Sequence, residues 1–224
     1  MLEYFFGGVY LTTTTTKKII FYFLFFADEK SVQTPPYIDT CVQLDGVSKD
    51  FSRLFHEGPD HDVEFLCEEE TVRAHKNVLC CRSDVFATMF RTDMTEGKNG
   101  QVKLTDMRGD ILRQFLGHLY TGMLPELTVD VALQLYEAAD KYNVYALKKQ
   151  CASFLMENVS PENACKILIV ADRCSDPDLK GHVMKYLVDK NVPLVAKEWD
   201  SFGMYNSSLA TEVSESIYSQ LREV

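Results

Sequence analysis

The stretch AHKNVLCCRSDVFATMF, from Ala74 to Phe90, is where the fold of this chain is easiest to predict. Its first half is apolar at helical spacing. Its second half opens at Ser83, a residue type that often accepts hydrogen bonds from the first backbone N–H groups of a helix. The apolar residues that follow share one helical face: Val85, Phe86, Met89 and Phe90. The stretch therefore predicts two consecutive short helices, the second with an apolar inner face.

The segments on either side of this stretch predict a small sheet. Upstream, apolar and polar side chains alternate from Val63 to Cys67, and after a Glu-rich turn the alternation resumes at Val72 and Ala74. This pattern is typical of a hairpin. Downstream, QVKLTD at 101–106 alternates in the same way and predicts a further strand.

Helices are predicted for the segments that follow these strands. One ends at Gly122, one is capped by Thr128 and runs to about Tyr142, and one covers Tyr145 to Leu155. Ser160-Pro161-Glu162 and Asp176-Pro177-Asp178 each place a capping side chain before a proline, and they predict an antiparallel helical pair.

An amphipathic helix is predicted before the first strand. It carries Val47, Phe51, Leu54 and Phe55 at helical spacing and ends at Gly58-Pro59. Four large apolar side chains on one short helix have to be buried somewhere, either in the core or against another chain.

Composition excludes some classes of partner. The chain has 33 acidic and 23 basic residues and a formal net charge of −10, so it lacks the clustered cations that bind nucleic-acid phosphates. The apolar run Ile19–Phe26 is shorter than the roughly 20 residues needed to span a bilayer. The seven cysteines form an odd set without a CxxC pair and predict buried, reduced thiols.

The quoted stretch resembles the signature of the BTB/POZ family, in which AHK precedes apolar positions and then RS-x-VF-x-x-MF. Three further segments extend the resemblance to the speckle-type POZ relatives of the MATH-BTB family, over about Val47 to Asp189: LYTG, AADKYNVYALKKQC and ENVSPENACKILIVAD. The resemblance implies an α+β fold, a small sheet flanked by helices, followed by a C-terminal helical pair of the 3-box or partial BACK type.

The resemblance also implies a domain organisation. The BTB/POZ domain with its N-terminal dimerisation helix is expected at 44–156, the helical pair at 157–192 and a tail at 193–224. Residues 1–43 are expected to be poorly ordered, with one strand-like segment and a linker in place of the substrate-reading MATH domain of the family. The similarity is therefore to a family member lacking that MATH domain.

Three sets of site residues follow from the resemblance. In cullin-3 adaptors of the family, the loop after the RS-x-VF-x-x-MF helix carries a hydrophobic residue, any residue and then Glu, which corresponds to Met94-Thr95-Glu96. The implied cullin-binding set is Met94, Glu96, Phe90 and Tyr142. The implied dimer interface is Val47, Phe51, Leu54 and Phe55. Asp62 and Lys76 match a charged-pocket position, where we expect a buried structural pair without a ligand.

The function that these features imply is that of a dimeric, non-catalytic cullin-3 adaptor of a ubiquitin ligase, nuclear or cytoplasmic, without a cofactor. Its partners would be cullin-3 and either a second copy or MATH-BTB relatives, and neither nucleic acid nor membrane. An alternative is a POZ-only regulator that dimerises with full-length MATH-BTB relatives and modulates their ligase assembly.

Three other classes are disfavoured. His56 and His61-Asp62 are weakly similar to a metal phosphohydrolase set, but His61-Asp62 leads straight into a predicted strand rather than a helix that converges on a metal. A BTB transcription factor would show a C-x-x-C and H-x-x-x-H zinc finger after the domain. A channel tetramerisation domain would need a membrane-spanning segment.

Overall fold

The computed structural model describes residues 40–67, 70–91, 100–190 and 202–221. The expectations for residues 1–39 and for the Met94–Glu96 loop lie outside these ranges. Thr40–Val224 group into one compact unit. Its elements, in chain order, are α1 (Thr40–Glu57), β1 (Val63–Cys67), β2 (Glu70–Ala74), α2 (Lys76–Arg82), α3 (Asp84–Arg91), β3 (Gln101–Leu104), α4 (Gly109–Thr121), α5 (Val129–Lys141), α6 (Tyr145–Glu157), α7 (Ala164–Arg173), α8 (Pro177–Asp189) and α9 (Ser207–Leu221).

The sheet has the strand order β2-β1-β3. β1 pairs antiparallel with β2, so that Val63 lies opposite Ala74, and it pairs parallel with β3, so that Glu64 lies opposite Gln101. The side chains that alternate along β1 alternate in burial as the sequence predicted. The apolar face of the sheet is thereby directed into the core, and the polar face is turned away from it.

An aromatic cluster joins the sheet to the helices. The ring of Phe86 on α3 stacks on Tyr142 at a centroid distance of 4.6 Å and meets Phe65 of β1 edge-on at 5.7 Å. Phe115 of α4 lies 5.3 Å from Tyr142. Because three helices and a strand contribute rings to one cluster, their relative positions are fixed together.

The predicted helix ends at Gly122, Thr128 and Asp176 are confirmed. Gly122 has φ +71°, the left-handed conformation that glycine adopts without strain. The side chain of Thr128 accepts a hydrogen bond from the Val131 N–H. Asp176 accepts from the N–H groups of Asp178 and Leu179 at the start of α8.

The start of α7 differs from the prediction. The helix begins at Ala164, and residues 161–163 form a turn before it. Asn163 Oδ1 accepts from the Ser160 N–H at 2.8 Å. The Asn163 N–H also donates to the Ser160 carbonyl oxygen at 3.2 Å, so the turn is closed by both the side chain and the backbone of Asn163.

The tail expected at 193–224 contains a helix. α9 packs on α8, and it buries Leu209 and Val213 together with Phe202 just before it. Lys180 of α8 pairs with Glu212 of α9 at 2.6 Å and with Asp172 of α7 at 2.8 Å. The helical pair predicted at 157–192 is thus covered on one side by a further helix.

Candidate protein-interaction surfaces

Helix α1 has one buried and one exposed apolar face. Phe55 is buried, with its ring 4.9 Å from that of Tyr120 on α4. Val47 and Phe51 are 55 % and 39 % exposed, and Leu54 is half-buried. The predicted interface set is thereby divided: Phe55 belongs to the core of this chain, while Val47 and Phe51 are directed toward solvent.

The exposed face of α1 continues onto the end of α4. The side chain of Met123 is 60 % exposed, and Ser48 Oγ lies 3.2 Å from its sulfur and 3.4 Å from the Thr121 carbonyl oxygen. A concave surface of about 440 Å³ beside Phe51 is lined by α2 and the last turn of α4. Sequence patterning did not single out Met123, whose only signal is an apolar residue directly after a helix-ending glycine.

Helix α3 holds Phe90 at its end. Ser83 Oγ accepts from the Phe86 N–H at 3.2 Å and donates to the Tyr142 carbonyl at 2.6 Å. The Phe90 ring is half-buried and stacks on Phe86 at 5.8 Å, and Lys76 Nζ lies 5.6 Å from its centroid. The geometry leaves part of the Phe90 ring accessible at the point where the chain continues toward Met94.

Tyr142 differs from Phe90 in exposure. Its side chain is only 2 % exposed, and burial raises the pKa of its hydroxyl. Lys141 Nζ lies 5.2 Å from its ring and 2.7 Å from Asp106 Oδ2. In this chain Tyr142 supports Phe86 and α3 from within, and its ring is not offered to a partner.

The predicted buried pair of Asp62 and Lys76 is wrong in its geometry. Asp62 is exposed, and its carboxylate accepts from the backbone N–H of Lys76 at 2.7 Å. Asp62 therefore accepts one of the N–H groups that the first turn of α2 leaves without an intrahelical partner. The Lys76 ammonium lies 5.6 Å from the centroid of the Phe90 ring, and Asp62 contacts Lys76 through its backbone N–H.

His75 is held by three hydrogen bonds. Its backbone N–H donates to the Tyr120 hydroxyl at 2.7 Å, the same oxygen lies 2.8 Å from Nδ1, and Nε2 lies 2.9 Å from the Pro59 carbonyl. Because a carbonyl oxygen can only accept, Nε2 donates the hydrogen bond to Pro59. Burial raises the pKa of Tyr120 to about 12, so its hydroxyl stays protonated and can donate to Nδ1.

The described residues contain no group of three or more His, Cys, Asp or Glu side chains that could hold a metal ion. Over the same ranges, no helix is both long and apolar enough to cross a membrane. Burial raises the pKa of the Cys151 thiol to about 12, which keeps it protonated, while Cys81 is exposed.

Comparison with known proteins gives one family match. Residues 51–159 match the family model of the BTB/POZ domain. The chain is 33 % identical over 172 residues to protein maternal effect lethal 26 of Caenorhabditis elegans, a match that covers 75 % of this chain and 43 % of the relative. It is 29 % identical over 175 residues to TD and POZ domain-containing protein 3 of Mus musculus, which covers 77 % of this chain and 48 % of the relative.

The chain thus spans less than half the length of these two curated relatives. Among solved structures, it is similar to the BTB domain of zebrafish PATZ1, at 22 % identity and a TM-score of 0.39, over 52 % of this chain and 87 % of that one. The family match coincides with the part of the chain that contains the sheet and α2 to α6.

Proposed function

We propose that this chain, whose residues 51–159 form a BTB/POZ domain with the α+β fold of that family, acts as a dimeric cullin-3 adaptor of a ubiquitin ligase of the speckle-type POZ kind. A BTB domain is a protein-interaction and dimerisation module, and the chain would bring partners together rather than catalyse a reaction. The cullin-3 role, the ligase and the MATH-BTB relationship are parts of the proposal.

The observation that carries the proposal is the exposed apolar face of α1. Val47 and Phe51 are too exposed to contribute to the core of one chain, and a neighbouring concave surface begins beside Phe51. Clustered apolar side chains of this kind mark an interaction site. Two copies that bring the same face together would bury Val47 and Phe51 across a two-fold axis.

The cullin-3 contact is proposed for Phe90, Met94 and Glu96. Support comes from the half-buried Phe90 at the end of α3 and from the sequence motif that follows it. A methionine side chain adapts to an irregular groove on a partner, and a glutamate at the rim fixes the register of docking more than it adds affinity. Tyr142 would contribute by holding α3 in place.

Helices α7 and α8 would extend this surface. They lie in the same compact unit as the BTB domain, and α8 contacts α6 as well as α7. A partner that docks beside Phe90 and reaches along the chain would therefore meet one continuous body.

The test is sedimentation velocity of the purified chain, alone and with the N-terminal domain of cullin-3. We expect a dimer that binds two cullin-3 domains. Met94→Asp with Glu96→Ala should weaken cullin-3 binding by about 2 kcal/mol or more, roughly 30-fold, because a charged side chain replaces an apolar anchor.

The matched control is Met204→Asp, which places the same change at a methionine that is 80 % exposed. It should leave cullin-3 binding unchanged. A dimer that ignores cullin-3, or cullin-3 binding that survives the double substitution, would contradict the adaptor proposal. Binding to a full-length MATH-BTB relative in place of cullin-3 would favour the regulatory alternative.

A further inference from the structure

The ring of Phe90 is the outer member of a series of stacked aromatic rings. Its plane is parallel to that of Phe86, with the ring centroids 5.8 Å apart and an interplanar angle of 5°. The Phe86 ring in turn stacks on Tyr142, at 4.6 Å and 18°. Phe86 and Tyr142 are buried, whereas Phe90 is half-buried. The series therefore begins in the core of the domain and reaches its surface at Phe90.

A lysine ammonium lies beside the ring at each end of this series. Lys141 Nζ is 5.2 Å from the centroid of the Tyr142 ring, and Lys76 Nζ is 5.6 Å from that of the Phe90 ring. Both distances are within the roughly 6 Å over which a cation is attracted to the face of an aromatic ring. Lys141 lies beside the buried end of the series, so Lys76 is the lysine that contacts the ring accessible to a partner.

The two helices that carry Lys76 and Phe90 are each anchored at their start. Lys76 is the first residue of α2, and its backbone N–H donates to Asp62 Oδ1 at 2.7 Å. Phe90 lies near the end of α3, and Ser83 Oγ accepts the Phe86 N–H at the start of that helix. The contact between the ammonium and the ring therefore joins two helices whose first turns are fixed independently.

The contact with Lys76 bears on the rotamer of Phe90. A half-buried ring near the end of a helix is not enclosed by packing on all sides, so its side chain can exchange between rotamers. A cation beside an exposed ring changes the ratio of two rotamers by about two- to five-fold. The apparent dissociation constant of a partner rises by the factor by which the binding-competent population falls. Lys76 can thus change partner affinity by acting on Phe90.

We propose that Lys76 is a positioning residue of the partner-binding surface. Its ammonium holds the Phe90 ring in the orientation, stacked on Phe86, that a docking protein meets. This role rests on the proposed function, in which Phe90 contacts cullin-3. Lys76 acts through Phe90, so its contribution to binding depends on the presence of an aromatic ring at that position.

Isothermal titration calorimetry of the full chain with the N-terminal domain of cullin-3 tests this dependence. Lys76→Met removes the charge, keeps a flexible side chain and should weaken binding about three-fold. Lys76→Arg should bind within about 1.5-fold of the parent chain, because a guanidinium is also attracted to an aromatic face. In a chain with Phe90→Leu, which has no ring at this position, adding Lys76→Met should change the affinity by less than about 1.5-fold.

Fluorine NMR measures the orientation of the ring without a partner. The chain is labelled with para-fluorophenylalanine, and the Phe90 signal is the one lost in Phe90→Leu. We expect a single Phe90 signal in the parent chain and in Lys76→Arg. In Lys76→Met the signal should shift and broaden, because the ring exchanges between rotamers. Circular dichroism confirms that each variant keeps the fold of the parent chain.

The control is Lys103→Met, the same change at an exposed lysine on β3. It should leave both the affinity and the Phe90 signal unchanged. The proposal is overturned if Lys76→Met binds cullin-3 as the parent chain does, or if Lys76→Arg binds as weakly as Lys76→Met. Equal weakening by Lys76→Met with and without the Phe90 ring would also overturn it, since Lys76 would then contact the partner directly.

Failure of the adaptor proposal has a different signature. A parent chain that does not bind cullin-3 contradicts the proposed function, and the fluorine signal then decides the role of Lys76 by itself. A shifted and broadened Phe90 signal in Lys76→Met supports the positioning role, and an unchanged signal overturns it.

Discussion

At the scale of single residues, His118 on α4 is an ionisable side chain that is almost fully buried. Burial lowers its pKa below the ordinary value of 6.5, the positive charge of Arg82 adds to this, and the backbone of Met123 opposes it. The ring is therefore neutral when the chain is folded. In the unfolded chain it regains its ordinary pKa and takes up a proton more readily.

This difference predicts a pH-dependent stability. Below pH 6.5 the unfolded chain binds more protons at His118 than the folded chain. The free energy of unfolding therefore decreases as the pH is lowered, until the pH falls below the folded pKa. His118→Phe removes this dependence. We expect the free energy of unfolding of the variant to fall by less than that of the parent chain below pH 6.5.

The measurement is urea unfolding of both proteins across the acidic range. His56→Phe, a change at an exposed histidine, serves as the control and should leave the pH dependence in place. An unchanged pH dependence in His118→Phe would show that another group is responsible for it.

Ser83 acts at the same scale. Its hydroxyl is buried and serves as both acceptor and donor, for the Phe86 N–H and the Tyr142 carbonyl. Ser83→Ala leaves two buried backbone groups unsatisfied, and we expect it to lower the free energy of unfolding by about 2–3 kcal/mol. Thermal unfolding beside Ser153→Ala, an exposed serine on α6, is the check; equal effects of the two changes would contradict the capping role.

At the scale of elements, α8 is attached to α5 through its own cap. Tyr136 Oη donates to Asp176 Oδ2 at 2.5 Å while Oδ1 accepts the first N–H groups of α8. Burial alone would raise the pKa of Asp176, but hydrogen bonds from the Leu179 N–H and the Tyr136 hydroxyl lower it overall. One carboxylate thus stabilises a helix start and a helix–helix contact.

A double-mutant cycle measures that contact. Asp176→Ala and Tyr136→Phe should be coupled by about 1 kcal/mol, a value at the low end because Asp176 is partly exposed. The coupling should be lost below the depressed pKa of Asp176, since the protonated carboxyl no longer gains from its donors. In the control cycle, Asp178→Ala takes the place of Asp176→Ala and is combined with Tyr136→Phe. The two effects on the free energy of unfolding should add within about 0.5 kcal/mol. Coupling in the control cycle would show that the first cycle measures something other than this hydrogen bond.

The elements also show what sequence patterning could predict. Asp176-Pro177 marked the start of α8 because the Asp176 carboxylate accepts the N–H groups of Asp178 and Leu179. Ser160-Pro161 did not mark the start of α7, because residues 161–163 form a turn and the helix begins only at Ala164. Helix α9 was missed because Leu209 and Val213 are the buried side chains among its described residues, so its apolar face is short.

At the scale of the whole molecule, sequence patterning predicted the candidate site only in part. The periodicity of α1 predicted that four side chains had to be buried, but it could not divide them between the chain's own core and a partner. The structure makes that division through the ring of Tyr120, which meets Phe55 and leaves Phe51 outside. Burial of Tyr142 likewise depends on Phe86 and Phe115, which are distant in sequence.

Assembly is the prediction that belongs to this scale. Val47→Asp with Phe51→Asp should prevent the proposed dimer from forming, because two carboxylates would be buried against their copies across a two-fold interface. Sedimentation over a range of concentrations measures it. Tyr145→Asp, a change at a residue that is 74 % exposed on α6, is the control; a dimer that withstands the double substitution would place the interface elsewhere.

The parallel pairing of β1 with β3 has a consequence for how the chain folds. Glu64 and Gln101 are 37 residues apart in sequence, whereas the β1–β2 hairpin is local. Closing the longer loop costs more chain entropy and is the slower event. On the ribosome, the hairpin can form early, but β1 keeps an unpaired edge until Leu104 has emerged, and during that interval the nascent sheet is open to association with other chains.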